Sequence, residues 1–361
     1  MLATMQRIAL SITALVAAVS AHAQAPGAKL YITNQSGASI SVVDQYALAV
    51  DTVIDLTKLG FTRNAKPHHT VVERDGSFWY ATLIGDGRVI KFDRANRLVA
   101  QVSMETPGLL ALDPVHDSLY VGRSMTAVNP PKSLGVIRRS TFTLVEEQEI
   151  FIPRPHALVV TRDGKWVHAA SLAENRIASL ELATGRVTLT TVPGVTRTMV
   201  QFTVSPDGSR MITGGEISNT VLVFDLTKPP PFAPRSEFAV TGKPWDPVFS
   251  RDGKLAYFSL FADTAIAEVD IAAGRVIRRI AGYFAQPYAM ILRADGKYLF
   301  VVNQNAGAPA AGMAGHENMP GMATPASTNG WLSVIDVATG RVEKMLALGL
   351  GPTGMGAAGA R

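Results

Sequence analysis

Between residues 155 and 192 the chain reads PHALVVTRDGKWVHAASLAENRIASLELATGRVTLTTV, four short runs in which apolar residues alternate with small or polar ones. Alternation with period two marks strands, and no 3.6-residue periodicity competes with it. The first run, 157–161, follows Pro155-His156, and Asp163-Gly164 supplies a positive-φ turn that reverses the chain. Residues 166–171 and 177–182 are the second and third strands, and Thr184-Gly185 turns the chain into 187–192. Four antiparallel strands this short cannot bury both faces alone. The unit must stack on copies of itself.

Copies fill the rest of the chain. The second unit opens at Pro67-His68-His69 and turns at Asp75-Gly76. The third opens at Pro107-Gly108, has His116-Asp117 where others have Asp-Gly, and is stretched by Asn129-Pro130-Pro131. The fifth turns at Asp207-Gly208 and carries prolines at 229–231 in place of a tight turn. The sixth opens at Pro244-Trp245-Asp246 and the seventh at Pro287-Tyr288. Hairpin turns at 75, 116, 163, 207, 252 and 295 are 41, 47, 44, 45 and 43 residues apart, the period of propeller blades. The first unit begins at its second strand, 29–33, without a Pro-x opening, whereas the last is followed by Gly351-Pro352-Thr353-Gly354, which is such an opening. The pattern predicts an all-β, seven-bladed β-propeller, its ring closed by the C-terminal strand joining the first blade so that no long sheet edge stays exposed.

The phrases YITN at 31–34 and FVVN at 300–303, the SPDG-type turns at 205–208 and 293–296, and D-x-x-T-G-R closings such as 336–341 resemble the YVTN family, the YncE-like periplasmic propellers. The resemblance covers essentially the whole chain beyond its first residues. Its motifs belong to the fold, so it implies architecture strongly and chemistry weakly. Relatives by architecture include subunits of periplasmic amine dehydrogenases, haem d1-binding propellers and lactonases.

Composition narrows the setting. The 361 residues are 47% hydrophobic and 17% charged, which suits a large buried core. Residues 1–7 carry one positive charge, 8–21 are apolar, and Ala21-His22-Ala23 is an A-x-A cleavage site. This predicts a secretory signal at 1–23 and a single periplasmic propeller at 24–361. The apolar run is shorter than the roughly 20 residues a spanning helix needs, so no membrane insertion is expected after cleavage. Absence of cysteine excludes disulfides, thiolate metal sites, iron–sulfur clusters and covalently attached haem. Without the leader, 33 Lys and Arg face 29 Asp and Glu, a net +4 that is scattered and forms no nucleic-acid track.

Propellers place ligands at the mouth of the central channel, where the innermost strands begin. The first positions after each opening are His68, Gly108, His156, Val200, Trp245, Tyr288 and Thr353; the second are His69, Leu109, Ala157, Gln201, Asp246, Ala289 and Gly354, with Arg197 just upstream. His68, His69, His156, Arg197, Gln201, Trp245, Asp246 and Tyr288 are therefore the expected ligand-binding residues. His68, His156 and Asp246 could hold a metal. Equally, a histidine and Asp246 could serve as base and acid on a bound ester or lactone, Arg197 stabilising an oxyanion. The plainer alternative is that the ring only plugs the channel. A slip of one residue would exchange the two sets.

The second candidate is an insertion, 304–330, in the seventh unit, which carries Met313, His316, Met319 and Met322. Thioether and imidazole are soft donors suited to Cu(I), and loops this long are often functional. His116 and His168 read as structural. The chain as a whole reads as a non-enzymatic binding or recognition protein for a small ligand or a periplasmic protein partner, with copper handling through the insertion. The alternative is a periplasmic enzyme, either a lactonase-type hydrolase or the propeller subunit of an oxidoreductase.

Overall fold

The Asp163-Gly164 pair shows how each blade is made. Gly164 takes φ 65°, a left-handed conformation that costs a residue without a Cβ nothing, and its N–H closes the turn on Thr161 O at 2.9 Å. Asp163 Oδ1 accepts the N–H of Lys165 at 3.1 Å, which starts the returning strand. Pro155–Val160, Trp166–Ser171, Arg176–Glu181 and Val187–Thr191 then form a four-stranded antiparallel sheet in sequence order, within a residue or two of the expected strands. A computed structural model describes residues 28–126, 128–305 and 329–358. The leader at 1–23 and the metal-binding expectation on Met313, His316, Met319 and Met322 lie outside them.

Seven such sheets follow one another, and the innermost strand of each touches those of its two neighbours, closing a ring. The structure is a seven-bladed β-propeller. We number the blades 1 to 7 in chain order. Blades 2, 4, 5, 6 and 7 begin at their innermost strands, Pro67–Val72, Pro155–Val160, Met199–Val204, Pro244–Phe249 and Pro287–Leu292. Blade 3 has the shortest inner strands, Leu110–Leu112 and Ser118–Val121, where its sequence is least regular. Blade 1 takes its innermost strand, Pro352–Ala357, from the C-terminal end and pairs it antiparallel with Lys29–Asn34. One feature without a counterpart in the sequence pattern is a 3-10 turn, Leu56–Leu59, started by Asp55 accepting from Thr57 N–H and ended by Gly60 at φ 90°. Among the described residues no helix is long and apolar enough to cross a membrane.

The core is a set of seven apolar layers, one in every gap between blades. Between blades 1 and 2, Trp79 is sandwiched by Tyr31 and Phe92 at centroid distances of 4.3 and 4.1 Å. The layer between blades 7 and 1 holds Leu30, Ile32, Phe300, Leu332 and Met355, drawn from both ends of the chain. Burial of each large side chain contributes about 1.5–3 kcal/mol. Closing a loop of several hundred residues costs only on the order of 5 kcal/mol, so a few such side chains suffice to hold the ends together.

A polar clasp lies beside that layer. Gly354 N–H donates to Thr33 Oγ1 at 2.8 Å, the hydroxyls of Thr33 and Thr353 meet at 3.0 Å, and Thr353 Oγ1 lies 3.2 Å from His68 O, in blade 2. The closing strand passes so close that a Cβ on Gly354 would stand 2.3 Å from His68 O. Gly354→Ala should therefore lower the unfolding free energy by about 2–4 kcal/mol in denaturant melts. Gly185→Ala, in an open turn at φ 72° with no atom within 4 Å of its Cβ, should cost no more than about 1 kcal/mol. Equal effects would mean that the closing strand is not seated against blade 2.

Candidate functional site

Every innermost strand is reached by the same backbone device. The residue just before it, Lys66, Arg154, Thr198, Lys243, Gln286 or Gly351, and Thr106 before Pro107, has a positive φ between 45° and 59°. This left-handed kink turns the chain from the outer edge of one blade down into the channel wall of the next. Its carbonyl then closes the first hairpin, as Lys66 O does with Ile84 N–H, Arg154 O with Leu172 N–H and Lys243 O with Phe261 N–H, each at 3.1 Å. Six of the seven are not glycine, each at a cost on the order of 1 kcal/mol.

The next two residues bulge out of the ladder. Pro67 pairs with Leu83 and Thr70 with Ala81, leaving His68 and His69 opposite Thr82 alone; the register shifts likewise in blades 4, 5, 6 and 7. Hydroxyls of the second strand fill the gap: Thr82 Oγ1 accepts His69 N–H at 3.2 Å and Ser259 Oγ accepts Asp246 N–H at 3.1 Å. A bulge re-aims side chains. Here it gives the first and second positions different tasks.

First-position side chains line the mouth. His68, His156, Val200, Trp245 and Tyr288 share a cavity of about 400 Å³. Gly108 of blade 3 has no side chain, so the imidazoles of His68 and His156 approach to 6.1 Å between centroids, their planes inclined at 66°. In a seven-membered ring the point opposite blade 3 falls between blades 6 and 7, where Trp245 and Tyr288 stand 5.1 Å apart with Phe261 stacked on the indole at 4.7 Å. An imidazole pair thus faces an aromatic pair across the mouth.

The tautomers follow from the partners. His68 Nδ1 lies 3.0 Å from Gln35 Oε1 and His156 Nδ1 lies 2.7 Å from Val200 O. Carbonyl oxygens only accept, so both Nδ1 atoms carry the proton and both Nε2 atoms keep a lone pair. His68 Nε2 is buried and has no partner. Burial, then the neighbouring imidazoles His156 and His69, depresses the His68 pKa to about 3. Burial also lowers His156 to about 4, against the pull of the Val200 carbonyl. Both rings are neutral at physiological pH.

Second-position side chains cap the next blade. His69 Nδ1 accepts Leu110 N–H at 3.2 Å, and Asp246 Oδ2 accepts Met290 N–H at 2.7 Å; each donor is the third residue after the neighbouring opening. The corresponding partner for Gln201 is Pro247, which has no N–H, and Gln201 Oε1 is buried without a partner. His69, held by burial and by His156 at a pKa of about 3, is the opposite tautomer, its lone pair already used. Burial pushes Asp246 up to about 7, the Met290 N–H pulling back. Burial raises the Tyr288 phenol as well, with Asp246 adding to the rise.

Arg197 does not join this group. Its guanidinium makes two 2.9 Å bonds to Glu237 on the outermost strand of blade 5 and is buried there, so it cannot meet an oxyanion at the mouth. His68, His156 and Asp246 do not converge on a metal position either: among the described residues no three His, Asp or Glu side chains do. Asp246 is drawn toward Met290 by its capping bond. The cavity wall also includes Met125, Arg154, Leu172, Thr198, Glu216 and Ile217, which the first-position reading missed. Arg154 and Thr198 are the kinked residues just before an opening, and extending the ring one residue back would have found them. His116 and His168 are held within their blades by Asp113 and Ser179, at 3.0 and 2.9 Å.

No protein-family model matches the sequence, and no curated protein does. Solved structures do resemble it. A protein of unknown function from Desulfotomaculum acetoxidans superposes with a TM-score of 0.70 at 14% identity, over 91% of this chain and 98% of that one. A candidate 6-phosphogluconolactonase from Bacteroides uniformis gives 0.66 at 16% identity, over 91% and 99%. A streptogramin B lyase gives 0.63 at 15%, over 76% and 86%. At such identities the likeness is one of fold.

The Asp246 carboxyl stays protonated to about pH 7 in the fold but ionises near 3.8 in the unfolded chain. Folding therefore binds a proton between those values. The contribution of Asp246 to stability is fully present below about pH 4 and is lost as the pH rises to 7. Water reaching the half-buried carboxyl reduces the loss to roughly 2 kcal/mol. Asp246→Asn, which keeps an acceptor for Met290, should gain stability relative to the wild type between pH 5 and pH 8 in denaturant unfolding. Parallel curves would show that the carboxyl is solvated.

Proposed function

We propose that the protein is an exported, YVTN-type propeller whose single ring binds a small ligand at the channel mouth. The observation that carries the reading is the single cavity lined by His68 and His156, each with its Nδ1 tied to a carbonyl oxygen and its Nε2 lone pair unspent, together with the Trp245–Tyr288 pair. Neutral acceptors opposite aromatic rings suit a ligand with an apolar body and an N–H, O–H or cationic head. Soft-metal handling through the insertion bearing Met313, His316, Met319 and Met322 is part of the same reading, on the chemistry of those donors. Asn305 and Asn329 lie beside the opening of blade 7, joined by a 2.9 Å bond from Asn305 Nδ2 to Asn329 O.

A second reading, an enzyme, is favoured by Asp246, whose carboxyl titrates near neutrality, where a general acid or base works best. Propellers similar in fold include a candidate lactonase and a lyase. On this reading Asp246→Asn abolishes turnover of a lactone panel and leaves binding intact.

Trp245 is a built-in reporter: Trp79 and Trp331 are fully buried within the blades, and Trp166, at the start of the second strand of blade 4, does not line the cavity. Titration with a panel of phenols, amines and diols should change indole emission for at least one member. That change should vanish in Trp245→Phe, and the Kd should rise at least tenfold in His156→Ala. A panel that stabilises wild type and Trp245→Ala equally, with no emission change, would sink the mouth as a binding site.

A further inference from the structure

We propose that His68 and His156 together hold one Cu(I) ion through their Nε2 atoms at the channel mouth, a metal position separate from the Met/His insertion. The proposal rests on the reading of the mouth as a binding site, and it names the occupant of the imidazole side. Of the three histidines at the blade openings, only these two have a free lone pair. His69 spends its own on Leu110 N–H. The other nitrogen of each candidate ligand is tied to an oxygen acceptor, Gln35 Oε1 for His68 and Val200 O for His156. That arrangement is the one that orients a metal-bound imidazole and fixes its tautomer.

The spacing allows a single bridging ion. A metal about 2.0 Å from each of two imidazole nitrogens on its opposite sides sets the ring centres roughly 6 Å apart, and the centres of His68 and His156 are 6.1 Å apart. The buried, partnerless Nε2 of His68 is an independent sign of a missing partner, since buried polar atoms are nearly always satisfied.

The donor set selects the ion. No third His, Asp or Glu converges among the described residues, so zinc lacks the ligands of its usual tetrahedral sites. Hard cations lack their oxygen cage. Glu216 lines the cavity but is paired with Lys243 Nζ at 3.1 Å, and the nearby guanidinium of Arg154 opposes a doubly charged guest. A monovalent ion content with two neutral nitrogens, and with the Met125 thioether on the same wall, is Cu(I).

The test uses the mature chain carrying Met313→Ser, Met319→Ser and Met322→Ser, so that the insertion does not mask the mouth. Competition against a chromophoric Cu(I) chelator under ascorbate should give one equivalent bound, weakened at least 100-fold by His68→Ala or His156→Ala and unchanged by His116→Ala. Absorption-edge spectra should show two nitrogen scatterers at roughly 2 Å. Should either alanine variant misfold, the same chain with the mouth intact is modified with diethyl pyrocarbonate, and bound Cu(I) should shield the peptide carrying His156. Absence of Cu(I) binding in the insertion-silenced chain, or an unshielded His156, overturns the proposal. If Trp245 emission still responds to the organic panel, the mouth survives as a binding site without metal; if it does not, both readings fall together.

Discussion

The ring exists only because two ends of the chain meet in one blade. Each sheet has apolar faces on both sides, and six sheets plus an incomplete one would leave two of those faces in water. Joining Pro352–Ala357 to Lys29–Asn34 covers both at once. The join bears directly on the mouth, since the Thr33–Thr353 clasp reaches the backbone carbonyl of His68 itself. A displaced closing strand would move a histidine that lines the cavity.

Two asparagines show the same logic in sequence. Asn34 Oδ1 accepts Gly349 N–H at 3.1 Å and its Nδ2 donates to Ser41 Oγ at 2.9 Å; Asn303 does the same with Ala285 N–H and Ser333 Oγ, at 3.1 and 3.0 Å. Each ties the segment approaching the innermost strand to the third strand of its blade. The shared phrases YITN and FVVN are thus a repeated hydrogen-bonding job in blades 1 and 7, the two that meet at the closure.

Much of this was legible beforehand. Turn spacing gave seven blades, and the unmatched ends of the chain gave the closure. Counting from the openings picked out His68, His156, Val200, Trp245 and Tyr288, which the structure brings to the wall of one cavity. Side-chain direction was not legible, for identifiable reasons. The bulge puts two consecutive residues outside the simple alternation, sending the first to the mouth and the second toward the next blade. Arg197 was drawn away by Glu237, forty residues later and on an outer strand. Whether a histidine offers a lone pair depends on what its other nitrogen touches, and those partners come from other blades.

The left-handed kinks before the seven openings have a consequence for how such a mouth could change over time. One backbone shape is built there from Lys, Thr, Arg, Thr, Lys, Gln and Gly, and the wall residues beside it are equally varied. Because hydrogen bonds of the main chain specify the shape, six non-glycine residues share it, whereas at Gly351 a Cβ would stand 2.6 Å from Ser36 Oγ. The rim behaves as a set of sockets on a common mount, with the closing blade the most constrained. Selectivity for a new guest could then be assembled by single substitutions around the circle, while the blades beneath keep their stability.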